Sequence, residues 1–173
     1  LKPGDRIGIA APAGQVPGEN VEAAMLHFKQ WSLDIRKAAK LLGKHFLFSG
    51  TDEERAADFQ VLLEDASVKA IFCARGGYGT VRMMERVDFA PLKGQAKWIT
   101  GYSDITAIHL HVYQNYGLEG LHAPMASDFL YGKPAEPLAA LKEILFGGDF
   151  QYQLEPHALN KYGRVNAPLT GGN

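Results

Sequence analysis

The chain has 173 residues, of which 46% are hydrophobic and 21% charged, with a formal net charge of −1. That length supports one self-sufficient core, and the composition excludes collagen-like, low-complexity and disordered chains. A single cysteine, Cys73, excludes a disulfide framework and every multi-cysteine zinc or iron–sulfur site, and it fits a reducing compartment. Lys and Arg are scattered, so no electrostatic footprint for nucleic acid or an anionic membrane is present. No apolar run approaches the roughly 18 residues that a membrane span needs.

In chain order, Arg6–Ala11 reads as a short buried strand that breaks at Pro12-Ala-Gly14. From Glu19 to Trp31, apolar residues recur at Val21, Ala24, Met25, Phe28 and Trp31, the stripe of a core-facing helix. Ser32–Ile35 fits a second strand. Thr51-Asp-Glu-Glu54 is a capping-box pattern opening a helix with Ala56, Phe59, Leu62, Leu63 and Ala66 inward. Val68–Ala74 is a buried-strand run ended by Arg75-Gly-Gly-Tyr-Gly79. The helix after it places Val81, Met84 and Val87 inward.

The unit then recurs: a strand at Lys97–Tyr102 and a helix at Asp104–Tyr116 with Ile105, Ile108, Val112 and Tyr116 on one face. Leu118–Ala123 reads as another strand, Pro137–Phe146 as a helix stopped by Gly147-Gly148, and Phe150–Leu154 as an edge strand. Such alternation specifies an α/β fold, a mostly parallel sheet with helices on both faces. Residues 1–154 form the expected domain. Residues 155–173 are polar, Pro- and Gly-bearing and without helical period, and read as a linker.

In an open parallel sheet the chemistry gathers just beyond the carboxyl ends of the strands. Gly101-Tyr-Ser-Asp104 lies at such a point. A serine there is thrust above the sheet edge, and the N–H of Asp104 faces the place where an oxyanion forms, as in a nucleophile elbow. Ile105 replaces the second glycine of that motif, and on the pattern alone Ser103 or Asp104 serving only as a helix cap is the plainer reading. Arg75–Gly79 offers backbone N–H groups to an anion, with Arg75 able to grip a carboxylate. A tight turn needing positive φ is the competing reading.

A serine nucleophile needs a base. His109 and His111 lie roughly 9–12 Å down the helix from Ser103, out of direct reach. His122, at a strand end, is the best local candidate, though a histidine there is more often structural, and no Asp/Glu–His pair is spaced to form a triad with Ser103. No HExxH or His–carboxylate cluster suggests a metal, and no cofactor motif is present. Cys73, inside a strand, reads as inert packing.

Leu1-Lys-Pro-Gly-Asp5, Ile7-Gly-Ile-Ala-Ala-Pro12, Gly50-Thr-Asp-Glu-Glu-Arg55 with Ala57-Asp58, Lys69 to Gly79, and Gly101-Tyr-Ser-Asp-Ile-Thr-Ala107 together resemble the bacterial LD-carboxypeptidase family of serine peptidases. The same pattern is similar to its branch of microcin C immunity peptidases. The resemblance implies a flavodoxin- or class I amidotransferase-like domain carrying the nucleophile, and a C-terminal domain supplying a Glu and a His. By motif, Ser103 matches the nucleophile, and the N–H groups of Asp104 and Gly77 match the oxyanion hole. Arg75, Gly76 and Tyr78 of the glycine turn are expected beside the substrate. His122-Ala-Pro departs from the family's usual His-Gly-Pro, and the closing Thr170-Gly-Gly-Asn173 resembles the family's entry into its second domain.

The implied activity is hydrolysis of the terminal D-alanine amide of murein tetrapeptide in the cytoplasm during wall recycling, without a metal or cofactor. The Glu and His have no counterpart in these 173 residues, so the fragment alone is expected to be nearly inactive. The alternatives are an immunity-type peptidase acting on peptidyl-nucleotide amides, and a non-catalytic domain that binds a peptide or partner. The expected partners are the murein peptide and the absent C-terminal domain of the same protein, with no nucleic acid and no membrane. An apolar face left by that absent domain would favour a homodimer.

Overall fold

The structure, a computed structural model, describes residues 1–130, 136–149, 151, 153, 155–161 and 163–172. Among the described residues, five parallel strands form one sheet: β1 (Arg6–Ala10), β2 (Asp34–Lys37), β3 (Val68–Cys73), β4 (Trp98–Gly101) and β5 (Leu121–His122), in the spatial order β2-β1-β3-β4-β5. The connecting helices are α1 (Gly18–Gln30), α2 (Asp52–Glu64), α3 (Thr80–Met84) and α4 (Thr106–Tyr116), and α5 (Glu136–Leu145) follows the last strand.

Side chains on neighbouring strands that pair in register share a face, and successive residues alternate. Ile9 pairs with Phe72, and Phe72 meets Phe28 of α1 at a ring separation of 4.4 Å. Gly8 pairs with Ile71 on the opposite face. A Cβ on Gly8 would lie 2.8 Å from Leu62 Cδ1 of α2, so the glycine is what lets that helix settle onto the sheet. The two faces are thus covered by different helices, as a parallel sheet requires. Ile7, Ile9, Phe28, Phe59, Leu62, Ile71 and Phe72 are fully buried. Truncating a core Phe of this kind costs about 3–5 kcal/mol.

Local signals explain the ends of the elements. The Thr51 hydroxyl accepts the Glu54 N–H at 3.2 Å while the Glu54 carboxylate accepts the Thr51 N–H at 3.0 Å, a reciprocal cap that starts α2. Gly117, left-handed at φ +65, ends α4.

Several boundaries differ from the sequence reading. Ser32 turns at φ +60, so β2 begins at Asp34 rather than Ser32. Ala66 lies beyond α2 and is exposed. The α3 helix is one short turn that buries Thr80 and Met83, leaving Val81 57% exposed. β5 keeps only two residues, and α4 is preceded by a 3-10 turn at Ser103–Ile105. The edge strand expected at 150–154 and the domain boundary at 154 lie outside the described residues for the most part. In the tail, every described residue from 155 on is exposed and none belongs to a helix or strand. Ala167–Gly171 line a cavity of about 350 Å³ against α4 and the end of β5. Among the described residues, no helix is long and apolar enough to cross a membrane.

The chain steps from β1 to β2 on one side and returns to place β3 on the other. The strand order therefore reverses at β1/β3, and the crevice beyond their carboxyl ends is where a doubly wound sheet collects its ligands.

Candidate active site

Three turns meet above that crevice: residues 11–17 after β1, 74–79 after β3 and 102–105 after β4. In the third, Ser103 is held at φ +60, a left-handed conformation that non-glycine residues adopt only under local constraint. Gly101 prepares it at φ +151, where a Cβ would strike Ile105 Cγ1 at 2.9 Å. The buried Ile105 thus closes the elbow from beneath, doing with a side chain what a second glycine does in the elbow motif.

The Arg75–Gly79 turn lies against this elbow. A Cβ on Gly76 would sit 3.0 Å from Ser103 Cβ and 3.3 Å from its Oγ. Gly77 and Gly79 take φ +112 and +122, so two of the three glycines adopt backbone conformations that L side chains rarely occupy. The Gly76 carbonyl accepts the Gly14 N–H at 3.0 Å, which ties the turn to the loop after β1. No turn, loop or cap hydrogen bond among the described residues uses the N–H of Gly77 or of Asp104.

Of the remaining turn residues, Tyr78 is 61% exposed and Arg75 is exposed, with one guanidinium nitrogen donating to the Gln15 carbonyl at 2.8 Å. A guanidinium has five donors, so Arg75 keeps capacity for a carboxylate. Beside Ser103, Tyr102, His122, Ala123, Pro124 and Asp128 border a cavity of about 400 Å³ together with Pro137 and Leu138 of α5. The Tyr102 hydroxyl donates to Asp128 at 3.3 Å, and burial with the neighbouring carboxylate pushes the phenol's pKa up.

Two side chains hold the turns together, one that sequence reasoning passed over and one that it read only as a cap for its own helix. Arg55, 2% exposed on α2, donates to the carbonyls of Pro12, Gly50 and Gly79 and pairs with Asp52. Asp52 also receives a two-pronged contact from Arg82, and these hydrogen bonds hold its carboxyl below the usual carboxylate range. Burial lowers the pKa of Arg55, and Asp52 works against that fall. The second group is the Asp104 side chain, whose Oδ2 accepts the Thr80 N–H at 2.8 Å. Arg55 was findable: it stands four residues before Phe59 and seven before Leu62, on the buried stripe of its helix.

No histidine hydrogen-bonds Ser103 among the described residues. His109 donates through Nε2 to the Ile99 carbonyl at 3.1 Å, and burial pushes its pKa down. His122 is exposed, and its ring packs 5.8 Å from that of Tyr102. Cys73 is fully buried, and that burial pushes its thiol pKa up.

The profile of the LD-carboxypeptidase N-terminal domain, Peptidase_S66, matches residues 7–123. The chain belongs to this family. It is 34% identical over 177 residues to the probable murein peptide carboxypeptidase of Bacillus subtilis (strain 168), covering 100% of this chain and 56% of that protein. Among solved structures, the muramoyltetrapeptide carboxypeptidase from Oxalobacter formigenes superposes with a TM-score of 0.71 at 27% identity, over 80% of this chain and 47% of that one. MccF in complex with glutamyl sulfamoyl guanosine gives a TM-score of 0.80 at 22% identity, over 90% and 49%, a likeness of fold. The chain spans about half the length of the curated relatives it matches.

Proposed function

We propose that this family domain carries the nucleophile of a serine carboxypeptidase that removes the terminal D-alanine of murein tetrapeptide in the cytoplasm. The observation that carries the reading is Ser103 on a left-handed elbow, pressed against a glycine turn whose N–H groups are not consumed by turn hydrogen bonds. The name of the Bacillus subtilis relative supports the substrate class. Cys73, the remaining nucleophile of interest, is buried and disfavoured as a thiolate.

In this mechanism the Ser103 hydroxyl attacks the amide carbonyl between D-alanine and the preceding diamino acid. The N–H groups of Asp104 and Gly77 receive the oxyanion, a contribution worth about 10²–10³ in rate per donor. Arg75 holds a substrate carboxylate, with Gly76 and Tyr78 alongside. D-alanine leaves, and water clears the acyl-enzyme. The general base in this reading is the Glu–His pair that the family resemblance assigns to a C-terminal domain; among the described residues no histidine hydrogen-bonds Ser103. The isolated 173 residues are accordingly slow by several orders of magnitude.

The test is release of D-alanine from murein tetrapeptide by the full-length protein, with Ser103→Ala as control. Turnover lost in a folded Ser103→Ala variant supports the proposal, and undiminished turnover overturns it. A peptidyl-nucleotide amide run in parallel separates this activity from an immunity-type one: preference for the nucleotide substrate would replace murein as the target.

A further inference from the structure

The Gly79–Thr80 peptide unit is gripped at both of its polar ends. Its carbonyl accepts a hydrogen bond from Arg55 Nη1 at 2.7 Å, and its N–H donates to Asp104 Oδ2 at 2.8 Å. The two grips come from opposite sides: Arg55 from α2, and Asp104 from the residue next to the nucleophile. We infer that Arg55 and the Asp104 carboxylate form a clamp on this peptide unit, making Arg55 a positioning residue that fixes the glycine turn against Ser103. The inference rests on the serine-peptidase reading of that turn.

The turn needs an external hold because its own sequence supplies little. Gly76, Gly77 and Gly79 carry no side chains, and glycine crosses between positive and negative φ at small cost. A peptide plane between Gly79 and Thr80 can therefore rotate unless its carbonyl and N–H are engaged. The other ties run through the front of the turn, from Gly14 N–H to the Gly76 carbonyl and from Arg75 to Gln15. Among the described residues, the Arg55–Asp104 pair supplies the hydrogen bonds at its exit into α3.

Arg55 suits the task through its fork. It reaches Pro12, Gly50 and Gly79 from one buried planar group, so the turns after β1 and β3 and the loop before α2 share one rigid reference. Asp52 neutralises it, and the Phe48 ring lies over the guanidinium at 5.0 Å, closing it from solvent. A lysine at this position carries the charge, but its donors radiate from one nitrogen and cannot span the separate positions that Nε, Nη1 and Nη2 occupy here. Asp104 then couples the clamp to catalysis: its side chain holds the turn while its own N–H faces the developing oxyanion.

The experiment uses the full-length protein with Arg55→Lys, Asp104→Ala, Asp104→Asn and the Arg55→Lys/Asp104→Ala double variant. Two readouts are taken: amide exchange at Thr80 against the β3 amides, and kcat and KM for murein tetrapeptide. The clamp requires Thr80 exchange to rise about tenfold or more in Arg55→Lys and in Asp104→Ala while the β3 amides stay protected. It also requires kcat to fall about 10- to 100-fold with KM within about twofold, since the loss is felt in the transition state. The double variant should be no worse than about the poorer single one, and Asp104→Asn, which keeps an acceptor for Thr80, should recover most of the activity.

Unchanged Thr80 exchange and kcat in folded Arg55→Lys overturn the clamp. So does a rise at Thr80 that merely parallels a rise throughout β3. If Arg55→Lys fails to fold, Asp104→Ala decides by the same criteria. Should the unmodified protein leave murein tetrapeptide intact, the proposed function fails by itself, and Thr80 exchange still decides the clamp.

Discussion

The Cβ that Gly76 lacks would lie 3.0 Å from Ser103 Cβ, so the glycine turn and the serine elbow meet at a position with room for backbone alone. Ser103 cannot retreat cheaply, since its φ of +60 is already fixed by Gly101 behind it and Ile105 beneath it. Gly76→Ala should therefore displace the hydroxyl rather than be absorbed. Capture of Ser103 by a fluorophosphonate in the full-length protein should slow about tenfold or more, since misplacement of reacting groups by about 1 Å costs up to 10²-fold. An unchanged capture rate would show that the two turns give way to each other.

Gly101→Ala tests the elbow through stability. The new Cβ meets Ile105 Cγ1 at 2.9 Å, and φ +151 is unfavourable for any L side chain. Backbone strain and overpacking together should cost about 2–4 kcal/mol, read as a lower urea midpoint at unchanged slope. A loss under about 0.5 kcal/mol would mean that the backbone relaxes freely here.

Two titrations shape stability toward acid. The hydrogen bonds of Ser67, with Arg36 adding to them, hold the Asp65 carboxyl at about 2, against an ordinary value of 3.8. The unfolded chain thus takes up that proton first, and the stabilisation, complete above 3.8, is lost as pH falls toward about 2. Burial keeps His109 below its ordinary 6.5, so below that pH the unfolded chain again binds the proton more readily. Asp65→Asn should flatten the stability profile below 3.8, and His109→Gln the segment just below 6.5. Urea titrations at half-unit pH steps check both; a native-state gain on acidification would reverse the sign.

Cys73 has no exposed surface, and burial raises its pKa. In the folded protein it should resist an aromatic disulfide reagent and react fully in denaturant. Blocking it should require opening of β3, so reaction and global unfolding ought to share one denaturant dependence. Prompt modification under native conditions would contradict the packing of the central strands.

The alternation of strands and helices was legible because apolar period and turn chemistry agree along most of the chain. Val68–Cys73 is a continuous apolar run apart from Lys69, and the reciprocal Thr51–Glu54 cap shows in four letters. The shorter elements were less legible. Helical spacing points Val81 inward, yet the observed α3 turn buries Met83, because its start is set by Gly79 and by the Asp104 contact at Thr80 rather than by its own stripe. Ser103 could be singled out from its place after a strand, but its φ of +60 depends on Ile105 packing beneath Gly101, a contact no local pattern spells out. The spacing of Arg55 marks it as inward-facing, but its role is not spelled locally, because the three backbone carbonyls around it come from separate loops.

The sheet order has a consequence for biosynthesis. With β1 between β2 and β3, and each later strand joining the edge left by its predecessor, a chain emerging from the ribosome can assemble the three-stranded centre once Cys73 has cleared the exit tunnel. The Gly77 turn follows within a few residues, well ahead of Ser103. Ser103 is thus the late arrival, fitted against a turn whose front is already in place. An error in the earlier turn passes on to the serine, and the exit of the earlier turn at Thr80 waits for Asp104 to arrive.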